Sequence, residues 1–288
     1  MQPKANKKKS QWKDVWLRLK RNKAAMLGLI ILLLLVFCAI FSKWLAPYGY
    51  DEQELSRRFT PPLTNGFILG TDQFGRDILS RLIYGSRYSL LVGAISVTVS
   101  AIAGSAIGAV AGFYGGKIDN VFMRFIDILM AIPSTLLAIA IAAALGSGLM
   151  NVIIAVGIGS IPGYARIVRA QVLTVKEQEF IEAARMSGSG DAHIIIKHIL
   201  PNCLAPIIVQ ATLGVASAIL TAAALSFLGL GIQPPAPEWG AMLSQARQYI
   251  RGYWYVVTFP GLAIMITIFA LNLFGDGLRD ALDPRLKN

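Results

Sequence analysis

The chain has 288 residues, of which 55% are hydrophobic and only 15% charged, and its mean hydropathy of +0.58 lies well above that of ordinary soluble domains. The bilayer is therefore the first solvent to consider. Net charge is +11, but nine Lys or Arg stand before Ala24 against the single acid Asp14, so the cations form one basic end and not a nucleic-acid-binding face.

In chain order, the basic segment 1–23 reads as a cytoplasmic tail under the positive-inside rule, with attraction to anionic lipid as a secondary effect. Residues 24–42 carry no Asp, Glu, Lys or Arg and are long enough to begin a first span. A secretory signal would have a shorter apolar run and a small-residue cleavage site, and Phe37 before Cys38 is too bulky for lipoprotein processing, so this span is expected to be retained. Two cysteines, Cys38 and Cys203, make no disulfide framework.

Further charge-free windows lie at 88–116, 128–165, 199–237 and 252–275, the second of them divided by "GSG" at 146–148. Alternation across the membrane then predicts spans at 24–45, 88–114, 120–145, 149–168, 204–230 and 254–277, with both termini cytoplasmic. The expectation is an all-α integral membrane protein with six transmembrane helices. Its parts are a tail (1–23), a first helix with an outer segment (24–87), a five-helix core (88–278) and a second tail (279–288).

Pro133, Pro162-Gly163 and Pro260-Gly261 fall inside spans and read as packing kinks, since neighbouring helices can satisfy the freed carbonyls. Gly104, Ser105, Gly108 and Gly112 allow close approach of another helix, within the bundle or from a partner. Ser134, Thr135, Gln210, Thr221 and Asn272 either line a path or bond their own backbone.

The long inner segment 166–202 carries Arg166, Arg169, Lys176, Arg185 and Lys197, which agrees with the orientation set by the first span. Within it Phe180, Ala183, Ala184 and Ser187 fall on one helical face, Gly188 and Gly190 break the helix, Asp191 is placed to cap a second one, and Pro201 to stop it. Small residues let another protein's backbone come close, with Glu182 at the rim. Equally, the segment reads as a solvated loop in which Glu182 pairs with Arg185 for about 0.2–0.5 kcal/mol.

A resemblance separates the two. "EAARMSGSGDAHIIIKHILPN" is similar to the EAA loop of permease subunits of binding-protein-dependent ABC importers: Glu182-Ala183-Ala184, Gly188 four residues later, and Leu200-Pro201. "LGTDQFGRDILSRLIYGSRYSL", "LSFLGLGIQPPAPEWGAML" and "NLFGDGLRDALDPRLKN" resemble the C-type permease of the dipeptide, oligopeptide and nickel branch. The likeness runs from about residue 18 to the end. His198 departs from it, standing where many permeases carry an apolar residue.

The resemblance implies a type I ABC importer permease whose segment 177–190 is a coupling helix within an EAA loop spanning 177–202. It implies a heterodimer with a second permease subunit, two cytoplasmic ATPase subunits, an external substrate-binding protein, and a bacterial or archaeal plasma membrane. The cargo implied is a di- or oligopeptide, with nickel chelates, glutathione or another small solute as alternatives.

ATP and Mg would sit on the partner subunits, with no cofactor on this chain. The nearest approach to a phosphate loop, "AGFYGGKID", has Ala111 and Ile118 where that loop needs Gly and Ser or Thr. No catalytic residue and no metal site is expected, because His193 and His198 are five apart, against the i, i+4 spacing of a helical metal pair.

Two other classes are weighed. An intramembrane protease would use Asp127 and Asp276, but Arg124 and Arg279 stand within one turn of them and local ion pairing is simpler. An ion-coupled carrier would place acids or repeats near the midplane, whereas the second and fifth spans hold no charge. On the outer face Pro234, Pro235 and Pro237 brace the following helix, so Trp239 and Arg247 are expected to contact the binding protein or a gate beneath it. Trp254 is expected to rest in the headgroups.

Overall fold

The computed structural model describes residues 11–283. Lys4, Lys7, Lys8 and Lys9 of the basic tail and residues 284–288 of the second tail lie outside them. Twelve α-helices occur in the described chain, and no strand. They are α1 Gln11–Arg21, α2 Lys23–Ile40, α3 Ser42–Leu45, α4 Ile78–Tyr114, α5 Gly116–Met130, α6 Ser134–Leu145, α7 Leu149–Val175, α8 Glu179–Met186, α9 Asp191–Ile194, α10 Leu204–Phe227, α11 Trp239–Ala246 and α12 Tyr255–Leu282. Five stretches are long and apolar enough to cross a membrane, and the bent pair α5–α6 makes a sixth crossing if counted as one. The six-span architecture stands, with four corrections.

The basic tail is not featureless: α1 buries Leu19 against Ala25 and Ala281 and leaves Trp16 and Leu17 exposed, with Lys20 over the Trp16 ring. The Asn22 side chain then accepts from the Ala25 N–H and starts α2. The second span begins at Ile78, ten residues before the expected 88, and the fourth runs on to Val175. Both errors come from treating charge as a boundary. Arg81 is 1% exposed with its Nε 3.6 Å from Asp72, and Arg166 and Arg169 pair with Asp127 and Asp119, so these cations continue their helices.

The third span is not a kinked helix. Its two halves meet at 86° across residues 131–133. Pro133 has no N–H to donate and crowds the preceding turn, so the chain leaves the helix and restarts at Ser134. Pro162 and Pro260, by contrast, stay inside α7 and α12. The fourth correction is at Asp191, which is the first residue of α9 and not its cap; that position is taken by Gly190, with no side-chain cap bond.

The core is a bundle in which α4 and α7 form the tightest pair. A Cβ on Gly104, Gly108 or Gly112 would stand 2.6 Å from Tyr164 Cβ, 2.4 Å from the Ala165 carbonyl oxygen or 3.0 Å from Val172 Cβ. The small-residue seam is therefore used inside this chain. On the other side α2 packs along α12, and the outward-facing Leu33, Leu34, Phe37 and Ile40 are exposed as lipid contact requires.

Candidate coupling site and outer bracket

At the end of the bundle expected to face the cytoplasm, the chain leaves α7, turns at Lys176–Glu177 and enters α8. Ile181 and Ala184 point inward and join Phe113, Val172, Val175, Ile194 and Ile199 in one apolar cluster. The expected face of small residues is thus split: Ala184 is part of the anchor, while Phe180, Glu182, Ala183 and Ser187 are exposed. Met186, 90% exposed at the end of the helix, was missed by periodicity. Its signal was a lone flexible thioether in an otherwise polar turn, the residue type that adaptable contact surfaces favour.

The helix ends in a Schellman motif. The Gly188 N–H donates to the Arg185 carbonyl and the Ser189 N–H to the Ala184 carbonyl, with Gly188 at φ +81°. A Cβ there would meet nothing within 4 Å, so Gly188 is required by conformation and not by space.

Arg185 does not pair with Glu182. Its guanidinium lies 5.1 Å from the Phe113 ring at the end of α4, and Lys176 Nζ donates to the Gly112 carbonyl at 3.0 Å. Glu182 has no ion-pair partner among the described residues and faces a recess of about 300 Å³ shared with Phe113, Lys176 and Arg185. The α8 segment is rooted in α4, while Glu182 at its edge has no ion-pair partner among the described residues.

Leu200 and Pro201 do not stop the chain. Ile195–Ile199 is a π turn in which the Leu200 N–H donates to the Ile195 carbonyl, followed by a 3-10 turn Leu200–Cys203 and then α10. The widened turn absorbs the donor that Pro201 lacks, and Asn202 Nδ2 donates to the His198 carbonyl. Leu200 packs against the apolar cluster and Pro201 is exposed. Because the turn is π and not α, His193 and His198 come onto one face with ring centroids 5.8 Å apart, so the spacing argument used on the sequence fails here. Among the described residues there is still no group of three or more side chains able to hold a metal.

Asp127 pairs with Arg166 from α7, not with Arg124, and Asp119 is held by Arg169 in a two-point contact. The acids named for a protease dyad are thus an ion-pair member and, at Asp276, an exposed helix residue.

At the opposite end, expected to face outward, a second body takes shape. Asp72 accepts from the N–H groups of Phe74 and Arg76 and from Arg76 Nε, while Arg76 also donates to Gln245 and Arg81 donates to the Tyr50 carbonyl. Trp239 is 1% exposed, its Nε1 donating to the Leu82 carbonyl. Its expected role as a contact for an external partner is corrected: the indole is an internal brace between α11 and α4. Arg247 is exposed beside Phe227 and keeps the surface position expected of it. Glu238, also buried, caps α11 by accepting from Gly240 and Ala241, and burial pushes its carboxyl above the usual range despite those bonds.

Two family models match the chain: "Binding-protein-dependent transport system inner membrane component" over residues 104–288, and "N-terminal TM domain of oligopeptide transport permease C" over residues 10–62. Among curated proteins it is 52% identical to the di/tripeptide transport system permease protein DppC of Pseudomonas aeruginosa strain UCBPP-PA14, covering 97% of this chain and 94% of that one. It is 48% identical to the dipeptide transport system permease protein DppC of Escherichia coli K12, covering 95% and 93%. It is 46% identical to the glutathione transport system permease protein GsiD of Escherichia coli O6:K15:H31 strain 536, covering 97% and 92%.

Among solved structures, an inward-facing form of the MetNI methionine ABC transporter aligns with a TM-score of 0.56 at 21% identity, over 70% of this chain and 96% of that one, a likeness of fold. A helical bundle with an exposed, rooted inner helix, and matches of this extent, leave one assignment: the chain is a multi-pass membrane permease that belongs to the inner membrane components of binding-protein-dependent transport systems.

Proposed function

We propose that this chain is one permease subunit of an ATP-driven importer of di- and oligopeptides, and that α8 is the handle by which separate ATPase subunits move it. The observation that carries this is the construction of α8. One side of it is packed into the bundle, its stop is fixed by Gly188, and Glu179, Glu182, Ala183 and Met186 stand exposed, with nothing among the described residues to cover them. ATP and Mg belong to two cytoplasmic ATPase subunits, and this chain binds no cofactor of its own.

A second, different permease subunit completes the pathway, an external substrate-binding protein delivers cargo, and both termini are cytoplasmic. Peptide as cargo is supported by the names of the relatives from Pseudomonas aeruginosa and Escherichia coli K12. Glutathione is the second reading, favoured by the relative of that name.

The test is uptake of labelled dipeptide into proteoliposomes holding the full complex, with ATP supplied on the ATPase side. Uptake that requires ATP and is competed by unlabelled dipeptide is expected. ATP-independent uptake driven by an ion gradient would overturn the proposal.

A further inference from the structure

The break in the third span, the proline of α7 and a polar stretch of α10 meet at one place in the bundle. There the α5–α6 break, Pro162-Gly163 of α7 and the Gln210–Ser217 stretch of α10 enclose a recess of about 390 Å³, a size suited to a small molecule. Ser134, Ser160, Gln210 and Ser217 line it, and Tyr164 donates its hydroxyl to the Gln210 carbonyl. No Asp, Glu, Lys, Arg or His contributes to the lining.

Residues 131–136 are all exposed. The N–H groups of Ser134, Thr135 and Leu136 find no acceptor among the described residues, since α6 starts without a side-chain cap. Hydrocarbon cannot face such backbone. At membrane depth it is tolerated only where protein covers it or water fills the space beside it. The recess therefore faces water or the second permease subunit, and not lipid. Of the mid-span polar residues singled out in the sequence, Ser134 and Gln210 meet here, whereas Thr221 bonds the Ser217 carbonyl on its own helix.

We propose that this recess is a cargo-contact site that takes the main chain of a short peptide; the assignment rests on the peptide-import reading. A peptide backbone offers neutral N–H and C=O groups in alternation. In a wall that also holds Ile132, Pro133 and Leu213, the recess answers with the Ser134 and Ser217 hydroxyls and the Gln210 amide, which both donate and accept, and with the free backbone N–H groups, while Ser160 donates to the Val156 carbonyl of its own helix and can only accept. With no fixed charge it neither selects side chains nor holds a charged terminus, so contact is weak and indifferent to sequence. Such a site lets cargo pass while selectivity resides elsewhere.

The experiment places a charge in the recess. Ser134→Asp and Ser134→Lys chains are assembled into the full complex, and kcat/KM for uptake is measured with a basic and an acidic dipeptide. The expected result is a basic-to-acidic ratio raised at least fivefold over wild type by Ser134→Asp and lowered similarly by Ser134→Lys. Equal loss for both cargoes, or no change, overturns the site.

Where those variants fail to assemble, Ser134→Cys in a chain carrying Cys38→Ser and Cys203→Ser is probed with a charged thiol reagent. Labelling that is slowed by saturating dipeptide and binding protein supports the site; no labelling, or labelling that dipeptide does not slow, overturns it. Wild-type uptake of both dipeptides is the control. Its absence overturns the import reading itself, whereas wild-type uptake with an unmoved ratio overturns only the recess.

Discussion

Gly188 shows how one side chain's absence fixes a functional surface. At φ +81° an alanine is strained by about 1 kcal/mol with no clash to blame, so Gly188→Ala is expected to fray the end of α8, while Gly188→Asn is tolerated better. Transport-coupled ATPase activity in the assembled complex checks this, the order expected being wild type, Asn, then Ala.

Glu238 gives a pH signature. Burial raises its folded-state pKa above that of the unfolded chain, so its contribution to stability is full below the ordinary glutamate range near about 4.3 and is lost as pH rises toward the folded value. Thermal unfolding in detergent should show that decline in wild type and lose it in Glu238→Gln, which keeps one acceptor for the α11 amides. Glu238→Ala loses the cap altogether and is expected to cost about 1 kcal/mol more.

For the helices, sequence was a sound guide to number and order and a poor one to ends. Hydropathy finds apolar runs, but Arg81 hides its charge against Asp72 and the Tyr50 carbonyl, and Arg169 does so against Asp119. Partners that far apart in sequence cannot be seen from one chain read along its length. Proline was equally ambiguous: the same residue breaks the third span at Pro133 and is absorbed within α7 and α12 at Pro162 and Pro260. The outcome depends on neighbours that support the freed backbone.

Where α8 ends was legible because Gly188 acts locally. The burial of Trp239 was not, since its partner Leu82 lies more than 150 positions away.

Two expectations follow for helix packing. Asp72→Ala leaves Arg76 and Arg81 buried without their carboxylate and should destabilise the outer bracket by about 3–5 kcal/mol, seen as loss of assembled complex, with Asp72→Asn milder because it can still accept from the Phe74 and Arg76 amides. Gly108→Leu would drive side-chain atoms into the α7 backbone, and failure of the bundle to form is expected, measured as loss of folded protein after extraction.

Across the whole molecule α4 is the connecting member. Its 37 residues make a rod of about 55 Å at 1.5 Å per residue, longer than the hydrocarbon it crosses. At one end Phe113 and Gly112 receive Arg185 and Lys176 of the α8 segment. At the other end Arg81 and Leu82 bind the Asp72 loop and Trp239. On the coupling role proposed for α8, a push there would reach the outer bracket through one continuous helix, with α7 tied to it along the Gly104–Gly108–Gly112 seam.

The coupling role proposed for α8 is the claim on which the rest depends. The decisive assay is cargo uptake and binding-protein-stimulated ATP hydrolysis by complexes carrying Glu182→Arg with Met186→Asp, reconstituted beside wild type at equal permease content. We expect the permease to insert normally, and both stimulated hydrolysis and uptake to fall at least tenfold, whether or not the ATPase subunits still co-purify. Wild-type uptake by an assembled complex bearing both substitutions would show that force enters the bundle somewhere other than α8.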